Sequence, residues 1–506
     1  MNRHTGLAAL SCCGVLCVAP AAGRAGPPEN PPPGNVPPGN TGNAAPGSTA
    51  SESTPAPSQE NQDLELIPPQ AQAAHTGSET LPAARGASQR LYLENAFTVN
   101  SRRDDLLVPV PPPPPYDWQE RLFLDVRQQW SLSSRVQLSF SGRLNLRDEN
   151  DISVPDHENV INDLREVYLS AEPLTRTYLD IGRINLKSGV ALGYNPTDYF
   201  KTRAVVEPLS ADPTVLREDR LGTLMVRGER IWELASVTLA YAPPVQHASP
   251  IYTNLDLPSF DPMLDRTNAV SRVLLKGTAS ITHEFSPELL LYREGSDTRF
   301  GANLTEPIGQ RSVVYLEWSG GRRASVITEA LRFGRETGTL PAAAPPLLPG
   351  AAGESFQNEL ALGASYTAGT SVTFNLEYHG NTAGFSAADW NTWFALGRGR
   401  SVHDPVALEL WYLRDYTLDQ QELTGRHGLF LRADWVDAFV PKLELTGLLD
   451  ADLHDNSQLL QLSADYYLAD KWTVGGLIIG YLGTRQSDFG SLPLAGSVLL
   501  KVARYF

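Results

Sequence analysis

The sequence predicts an all-β fold, an antiparallel transmembrane β-barrel of about 18–20 strands built from residues 89–506. Three observations predict it. Long segments alternate apolar and polar residues with a period of two, which is the period of a strand. The connections between them alternate in length, short then long. No segment carries a run of some 18 or more apolar residues, so no membrane-spanning helix competes with the strands.

Taken from the N-terminus, residues 1–25 read as an export signal. Arg3 supplies a positive start, Leu7 to Ala22 is mostly small and apolar, and cleavage fits after Ala19-Pro20-Ala21 or Gly23-Arg24-Ala25. The chain's three cysteines, Cys12, Cys13 and Cys17, all fall inside this segment, and the residues before them fit a lipidation box poorly. The mature chain is therefore expected to lack cysteine, which excludes disulfides, thiolate zinc sites and a cysteine nucleophile. Residues 26–88 are low in complexity, with Pro31-Pro32-Pro33-Gly34 and Pro37-Pro38-Gly39 set among Asn, Ser, Ala and Thr. Few side chains there can build a core, so a disordered periplasmic segment is expected. It is a plain tether or an arm that reaches a periplasmic partner.

Alternation begins near residue 90. Leu91–Thr98 is needed as the first strand, because an even count places both ends of the barrel on the periplasmic side. Leu122, Leu124 and Val126 then alternate with Phe123, Asp125 and Arg127. After a turn at Ser131–Ser134, Val136, Leu138, Phe140, Leu144 and Leu146 alternate with Gln137, Ser139, Ser141, Arg143, Asn145 and Arg147. One face is greasy and the other polar. The run is longer than the usual soluble strand of about 5–6 residues and suits the ~9–11 residues that cross a bilayer with tilt. The pattern returns at 372–378, at 443–453 and at 460–468, where Leu460, Leu462, Ala464, Tyr466 and Leu468 face away from Gln461, Ser463, Asp465 and Tyr467. Two regions leave the count open: 288–306, as one strand or two, and 388–397, as strand or loop. Tyr116, Trp118, Trp130, Trp435, Tyr466 and Trp472 lie near strand ends, where an interfacial girdle belongs.

A mean hydropathy of −0.23 suits such a barrel, because only alternate residues meet lipid. The formal charge of −16 argues against nucleic acid as a partner. On the polar face the early strands offer Arg121, Asp125, Arg127, Arg143, Arg147 and Arg227. The later strands are mostly acidic, with Glu317, Glu359, Glu377, Glu409, Asp434, Glu444, Asp450, Asp452 and Asp465 against Arg432. Opposite charge across a water-filled lumen makes a transverse field that orients polar solutes. The blander reading pairs these charges so that they merely fill the interior.

The longest distinctive loop runs from Asn185 to Asp219. Its glycines, aromatics and charges, among them Asn195, Asp198, Arg203, Arg217 and Arg220, suit a loop that folds inward as a constriction. Here the chain resembles a group of proteobacterial porin-like outer-membrane proteins. In that group a strand ending Gly-Arg or Gly-Lys leads through a glycine to Asn-Pro-Thr-Asp, matched by Gly182-Arg183, Gly189 and Asn195-Pro196-Thr197-Asp198. The group often has tryptophan before the glycine, where this chain has Ser188. The end of the chain adds to the likeness. Val498, Leu500, Val502 and Phe506 share one face, and a terminal aromatic resembles the signal read by the outer-membrane assembly machinery. Arg504 departs from the aromatic or apolar residue often found there.

Enzyme signatures are absent: there is no His-Glu-x-x-His, Gly-x-Ser-x-Gly, phosphate-binding loop or dinucleotide fingerprint. The nine histidines are scattered. The segment Asp450, Asp452, His454 and Asp455 lacks the glycine and distal glutamate of a calcium loop. No catalytic, metal or cofactor site is expected. The reading is a channel in the outer membrane of a Gram-negative bacterium, in contact with its lipid, giving polar solutes an aqueous path. The rivals are an exporter of a secreted polymer such as an exopolysaccharide, a plugged structural barrel and an outer-membrane hydrolase.

Overall fold

The computed structural model describes residues 88–506, except 112–114, 150–159, 207, 209, 252–260, 283–284, 352, 370 and 470. The expected signal peptide at 1–25 and the low-complexity segment at 26–88 lie outside the described residues, except Ser88, which opens the first strand.

Eighteen strands follow the chain in order. The first six are β1 (Ser88–Arg102), β2 (Trp118–Ser133), β3 (Val136–Glu149), β4 (Val160–Leu174), β5 (Thr177–Ile184) and β6 (Thr223–Ile231). The next six are β7 (Ala235–Ala242), β8 (Arg272–Ala279), β9 (Glu288–Glu294), β10 (Asp297–Ile308), β11 (Ser312–Arg323) and β12 (Ser355–Ala368). The last six are β13 (Val372–Asn381), β14 (His427–Trp435), β15 (Leu443–Asp452), β16 (Gln458–Ala469), β17 (Trp472–Leu482) and β18 (Leu494–Tyr505). Each strand pairs with its neighbours in sequence, and β1 pairs antiparallel with β18, with Tyr92 opposite Tyr505 and Val99 opposite Val498. The sheet is thus closed and has no free edge.

The two faces carry the expected chemistry. Leu462 is 51 % exposed on the outside of β16, whereas its neighbour Gln461 is 2 % exposed on the inside. Exposed apolar side chains recur round the outer wall, including Leu239, Phe300, Leu376, Ile478 and Leu500. A belt of this kind is the surface a barrel presents to lipid. Arg504 lies on this outer face near the short-turn rim, with its guanidinium 5.1 Å from the Trp472 ring and 4.7 Å from the Phe506 ring. Aromatic faces accommodate the charge that broke the apolar pattern.

The strand count is 18. Residues 288–306 contain two strands joined by a two-residue turn at 295–296, where Gly295 takes φ 55°. Residues 388–397 are neither strand nor loop but part of a helix. Among the described residues five α-helices occur, α1 (Pro213–Glu218), α2 (Leu264–Thr267), α3 (Val326–Glu336), α4 (Ala387–Gly397) and α5 (Pro405–Asp419), beside a short 3-10 turn at Phe489–Ser491. Local chemistry dictates the longer three. Ser325 caps α3, Ser386 and Asp389 form a capping box on α4, and Asp404 caps α5 ahead of Pro405. Trp390, Trp393 and Phe394 then fall at helical spacing and bury with Trp411, Leu410 and Tyr416, while Val108 of the β1–β2 connection joins them. Glu409, grouped above with the inward acids of later strands, belongs to α5 instead. These helices lie in the connections at 324–354 and 382–426, which share an end of the barrel with the loop at 185–222. The opposite end has the tight turns at 134–135, 175–176 and 309–311.

Candidate functional site

The interior is organised by the 185–222 connection between β5 and β6, which crosses the lumen. In an 18-membered ring the strand opposite β5 is β14, and the loop reaches it. Two wall carboxylates hold the outward pass. The backbone N–H groups of Val190 and Ala191 donate to Glu317 Oε2 at 2.9 and 3.0 Å. Those of Leu192 and Gly193 donate to Glu377 at 2.6 and 2.9 Å. Thr197 adds its N–H and hydroxyl to Glu317 Oε1 at 2.7 and 2.9 Å. Glu377 also accepts from Tyr315 at 2.6 Å and bonds His379 at 2.7 Å. Both carboxylates are 0 % exposed. Gly189, at φ 91°, passes so close that an added Cβ would lie 2.5 Å from Glu317 oxygens.

The return pass is held on the far wall. Ala211 N–H donates to Gln461 Oε1 at 2.8 Å, and Arg432 of β14 meets Asp212 at 3.1 Å. Asp212 also caps α1, accepting from Thr214 N–H at 2.9 Å. Between the two passes the loop is stapled to the C-terminal end of α5. Arg203, at φ 57°, donates to Asp419 from its side chain at 3.0 Å and from its backbone at 2.9 Å. Arg266 of α2 reaches the same carboxylate at 2.8 Å, and Gln421 donates to Lys201 O at 2.5 Å. Tyr194 donates to Glu422 at 2.7 Å. Burial works against the Glu422 carboxylate, but Lys201, Arg323 and Arg299 outweigh it and hold its pKa below the usual value. Burial pushes the Lys201 ammonium down against the pull of that carboxylate. The loop is thus fixed at both walls and from above by the helices.

Asn195 sits in the outward pass, donating to Ala191 O and accepting from Lys201 Nζ at 3.0 Å. Asp198 is 0 % exposed and pairs with Arg220 at 2.6 Å, with Arg217 at 3.8 Å. Arg217 donates to Ser188 O at 3.0 Å. The five loop residues singled out from sequence therefore all lie in one lumenal segment.

A second feature is an arginine cluster on the inner face of β2–β4. Arg143 is 3.0 Å from Asp125 and 2.8 Å from Asp219, and its guanidinium lies 4.4 Å from the Phe123 ring. Arg127 is 4.0 Å from Asp125 and 3.1 Å from Glu218. Arg121 lies 3.6 Å from Glu94, and Arg147 is half-buried on the same face of β3. Sequence reading missed Arg165, which joins Asp125 and lies 3.3 Å from Asp219. A β-bulge explains the miss. Ser141 pairs with Glu166 and Gly142 with Leu164, so Arg165 and Glu166 both point inward. The signal was a change of phase between Arg165 and Val167. Arg127, Arg165, Lys187, Glu218 and Arg220 also line a small enclosed polar pocket.

The remaining inward residues are dispersed. Arg227 pairs with Asp180 at 2.9 Å on the β5–β6 wall. Arg432 meets Asp434 at 2.5 Å, Glu444 accepts from Tyr467 at 3.0 Å, and Lys501 meets Asp465 at 2.9 Å. Asp452 and Asp455 accept from the N–H groups of His454 and Ser457 at 2.6 and 2.8 Å. Among the described residues no group of three or more His, Cys, Asp or Glu gathers to hold a metal ion.

The helices above the lumen carry a pH prediction. Glu409 is 5 % exposed, and its Oε1 has no hydrogen-bond partner. Burial raises its pKa to about 7 against the pull of Arg335. Burial likewise raises Asp488, which receives Arg414 of α5, to about 6. A folded pKa above the unfolded one gives stability that is full below the unfolded value and lost as pH rises through the folded value. The helices should therefore loosen between about pH 4.5 and 7 as Glu409 ionises. Glu409→Gln should flatten that loss, which is worth about 3 kcal/mol. Tryptophan fluorescence during thermal unfolding at pH 5 and pH 8 measures it.

The fold defines a transmembrane β-barrel whose polar lumen is crossed by its own loop. No family model and no curated protein matches the sequence. Several crystal structures are similar to it at low identity. Acinetobacter baumannii OccAB1 is 10% identical, with 84% of this chain and 98% of that chain covered and a TM-score of 0.49. Pseudomonas aeruginosa OccK5 (OpdH) is 10% identical over 83% and 98%, with a TM-score of 0.47. Pseudomonas aeruginosa OpdK, crystallised with vanillate, is 11% identical over 83% and 98%, with a TM-score of 0.46.

Proposed function

We propose that this chain is a channel of the Gram-negative outer membrane, giving polar solutes an aqueous path narrowed by the 185–222 loop. The observation that carries the reading is a closed 18-stranded wall, greasy outside and polar within, with the loop spanning the lumen instead of covering the rim. A barrel of this size is too wide for wall side chains alone to fill. The arginines of β2–β4 stand on one side. Asp434, Glu444 and Asp465 line a different arc, on β14–β16, where Arg432 and Lys501 pair the first and last, so a permeating ion meets an uneven field along its path. A second reading, a plugged barrel, draws on the number of bonds that pin the loop.

Single-channel conductance of the mature protein in a planar bilayer tests both, beside a variant lacking 190–215. Conductance that rises on deletion supports the channel. Silence from both variants, with an intact barrel, supports the plug. In the conducting protein, neutralising Arg127 and Arg147 together should cut the anion-to-cation permeability ratio roughly two-fold or more. An unchanged reversal potential would remove the arginine cluster from selectivity.

A further inference from the structure

The outer wall is not uniform at the rim nearest the long loops. On β9 and β11 two arginines, Arg293 and Arg322, point outward and are exposed. Arg293 is opposite Thr298 of β10, and Arg299 is opposite Gly321, which sets Thr298 beside Arg322. Arg322 is in turn opposite Phe356 of β12. The four residues form one row across four strands, with the arginine backbones two strand spacings apart, about 10 Å. Arg293 Nε donates to Gly295 O at 3.1 Å, and among the described residues neither guanidinium has a carboxylate partner. Arg332 of α3 adds a third exposed guanidinium to the β11–β12 connection, 3.9 Å from Glu354, which directly precedes β12.

Below the row the wall is apolar. Leu291 and Phe300 are 40 % and 53 % exposed there, and Phe356, within the row, is 56 % exposed. The Trp318 ring lies over Gly320, where an added Cβ would meet it at 2.4 Å. An aromatic shelf therefore sits directly under Arg322. The rim across β2 and β3 is opposite in sign, with Glu120 paired to Asp148 on the outer face and both exposed. In a chain of net charge −16, an uncompensated arginine row above a lipid-facing aromatic shelf needs an anionic partner whose own tail is apolar.

We infer that the β9–β12 rim binds the phosphate groups of a phosphorylated glycolipid of the outer leaflet, with Arg293 and Arg322 as the phosphate ligands. A guanidinium presents paired N–H donors that match phosphate oxygens, and it stays charged at every relevant pH. The acyl chains would lie on Leu291, Phe300 and Trp318. The acidic β2–β3 rim would repel the same headgroup, so the lipid would mark one arc of the barrel. This inference rests on the outer-membrane reading above.

The test is native mass spectrometry of the full mature protein in detergent with diphosphoryl lipid A, beside the dephosphorylated glycolipid. The wild type should retain lipid A and hold the dephosphorylated form about tenfold more weakly. An Arg293→Gln/Arg322→Gln variant should lose lipid A by a similar factor while keeping heat-modifiable barrel migration on a gel. Arg504→Gln, at the other rim, should bind as the wild type does. No lipid A on the wild type, equal binding of both glycolipids, or full binding by the double variant would overturn the inference. Conductance of the same preparations separates the two claims. A conducting barrel without lipid A preference leaves the channel standing, and a silent barrel that binds lipid A leaves the rim site standing.

Discussion

Replacing both Glu317 and Glu377 by glutamine should raise single-channel conductance several-fold and make the current noisy. The two carboxylates accept four consecutive backbone N–H groups, from Val190 to Gly193, together with both donors of Thr197. Hydrogen bonds to a charged acceptor are worth about 1.5–3 kcal/mol each. Glutamine keeps the volume but replaces an acceptor oxygen with an NH2 group. At Glu377 each oxygen already receives two neighbours: Oε1 faces Leu192 N–H and Tyr315 Oη, and Oε2 faces Gly193 N–H and His379. An amide nitrogen in either place would oppose a backbone N–H donor to donor. The outward pass should then leave the wall, while Gln461 and Arg432 still hold the return pass. Protease nicking near residues 190–197 should rise in parallel. A Thr197→Val variant removes a single donor and should give a smaller change of the same sign. Wild-type conductance and wild-type protease resistance in the double variant would show that the loop does not depend on these carboxylates.

What the sequence revealed of this arrangement follows from where each signal resides. The wall was legible because its period of two is carried by side chains. Leu462 and Gln461, or Leu122 and Arg121, separate cleanly by chemistry, and the structure turns them to opposite faces. The loop was recognisable by its composition, since Gly189 and Gly193 sit where a Cβ would collide with Glu317 and with His379 and Phe430. Its path was hidden, because the groups that bind it to Glu317, Glu377 and Gln461 are mostly backbone N–H groups with no side-chain signature. The helices at 387–397 and 405–419 were missed for another reason. Trp390, Trp393 and Phe394 are aromatic enough to pass for strand, and only the capping box of Ser386 and Asp389 argued otherwise. Gln461 shows the same limit, because its alternation marks it only as a polar, inward residue. In the structure it bonds Ser210 and Ala211, so its substitution should release the return pass.

The lipid-facing wall gives the sharpest energetic expectation. Leu462→Arg should destabilise the barrel by roughly 2–4 kcal/mol, provided the site lies near the bilayer midplane. Leu462 is opposite Gly447 on β15 and Ile478 on β17, and an added Cβ at Gly447 would lie 3.5 Å from its Cδ2. Its surroundings on the outer face therefore include a bare glycine and an isoleucine that is 55 % exposed, with no carboxylate opposite it in the register. A guanidinium placed there has lipid on one side and backbone on the other. It must snorkel toward a rim, as Arg504 does between Trp472 and Phe506, but from a position several residues deeper in the strand. Leu445→Arg, on the same face of β15 and opposite Ala464, should behave alike. Glu444→Arg, one residue away and turned inward, should fold with near-wild-type stability. Reversible unfolding in denaturant from lipid vesicles measures all three. Equal cost for Leu445→Arg and Glu444→Arg would mean that the wall does not present lipid on one face and lumen on the other.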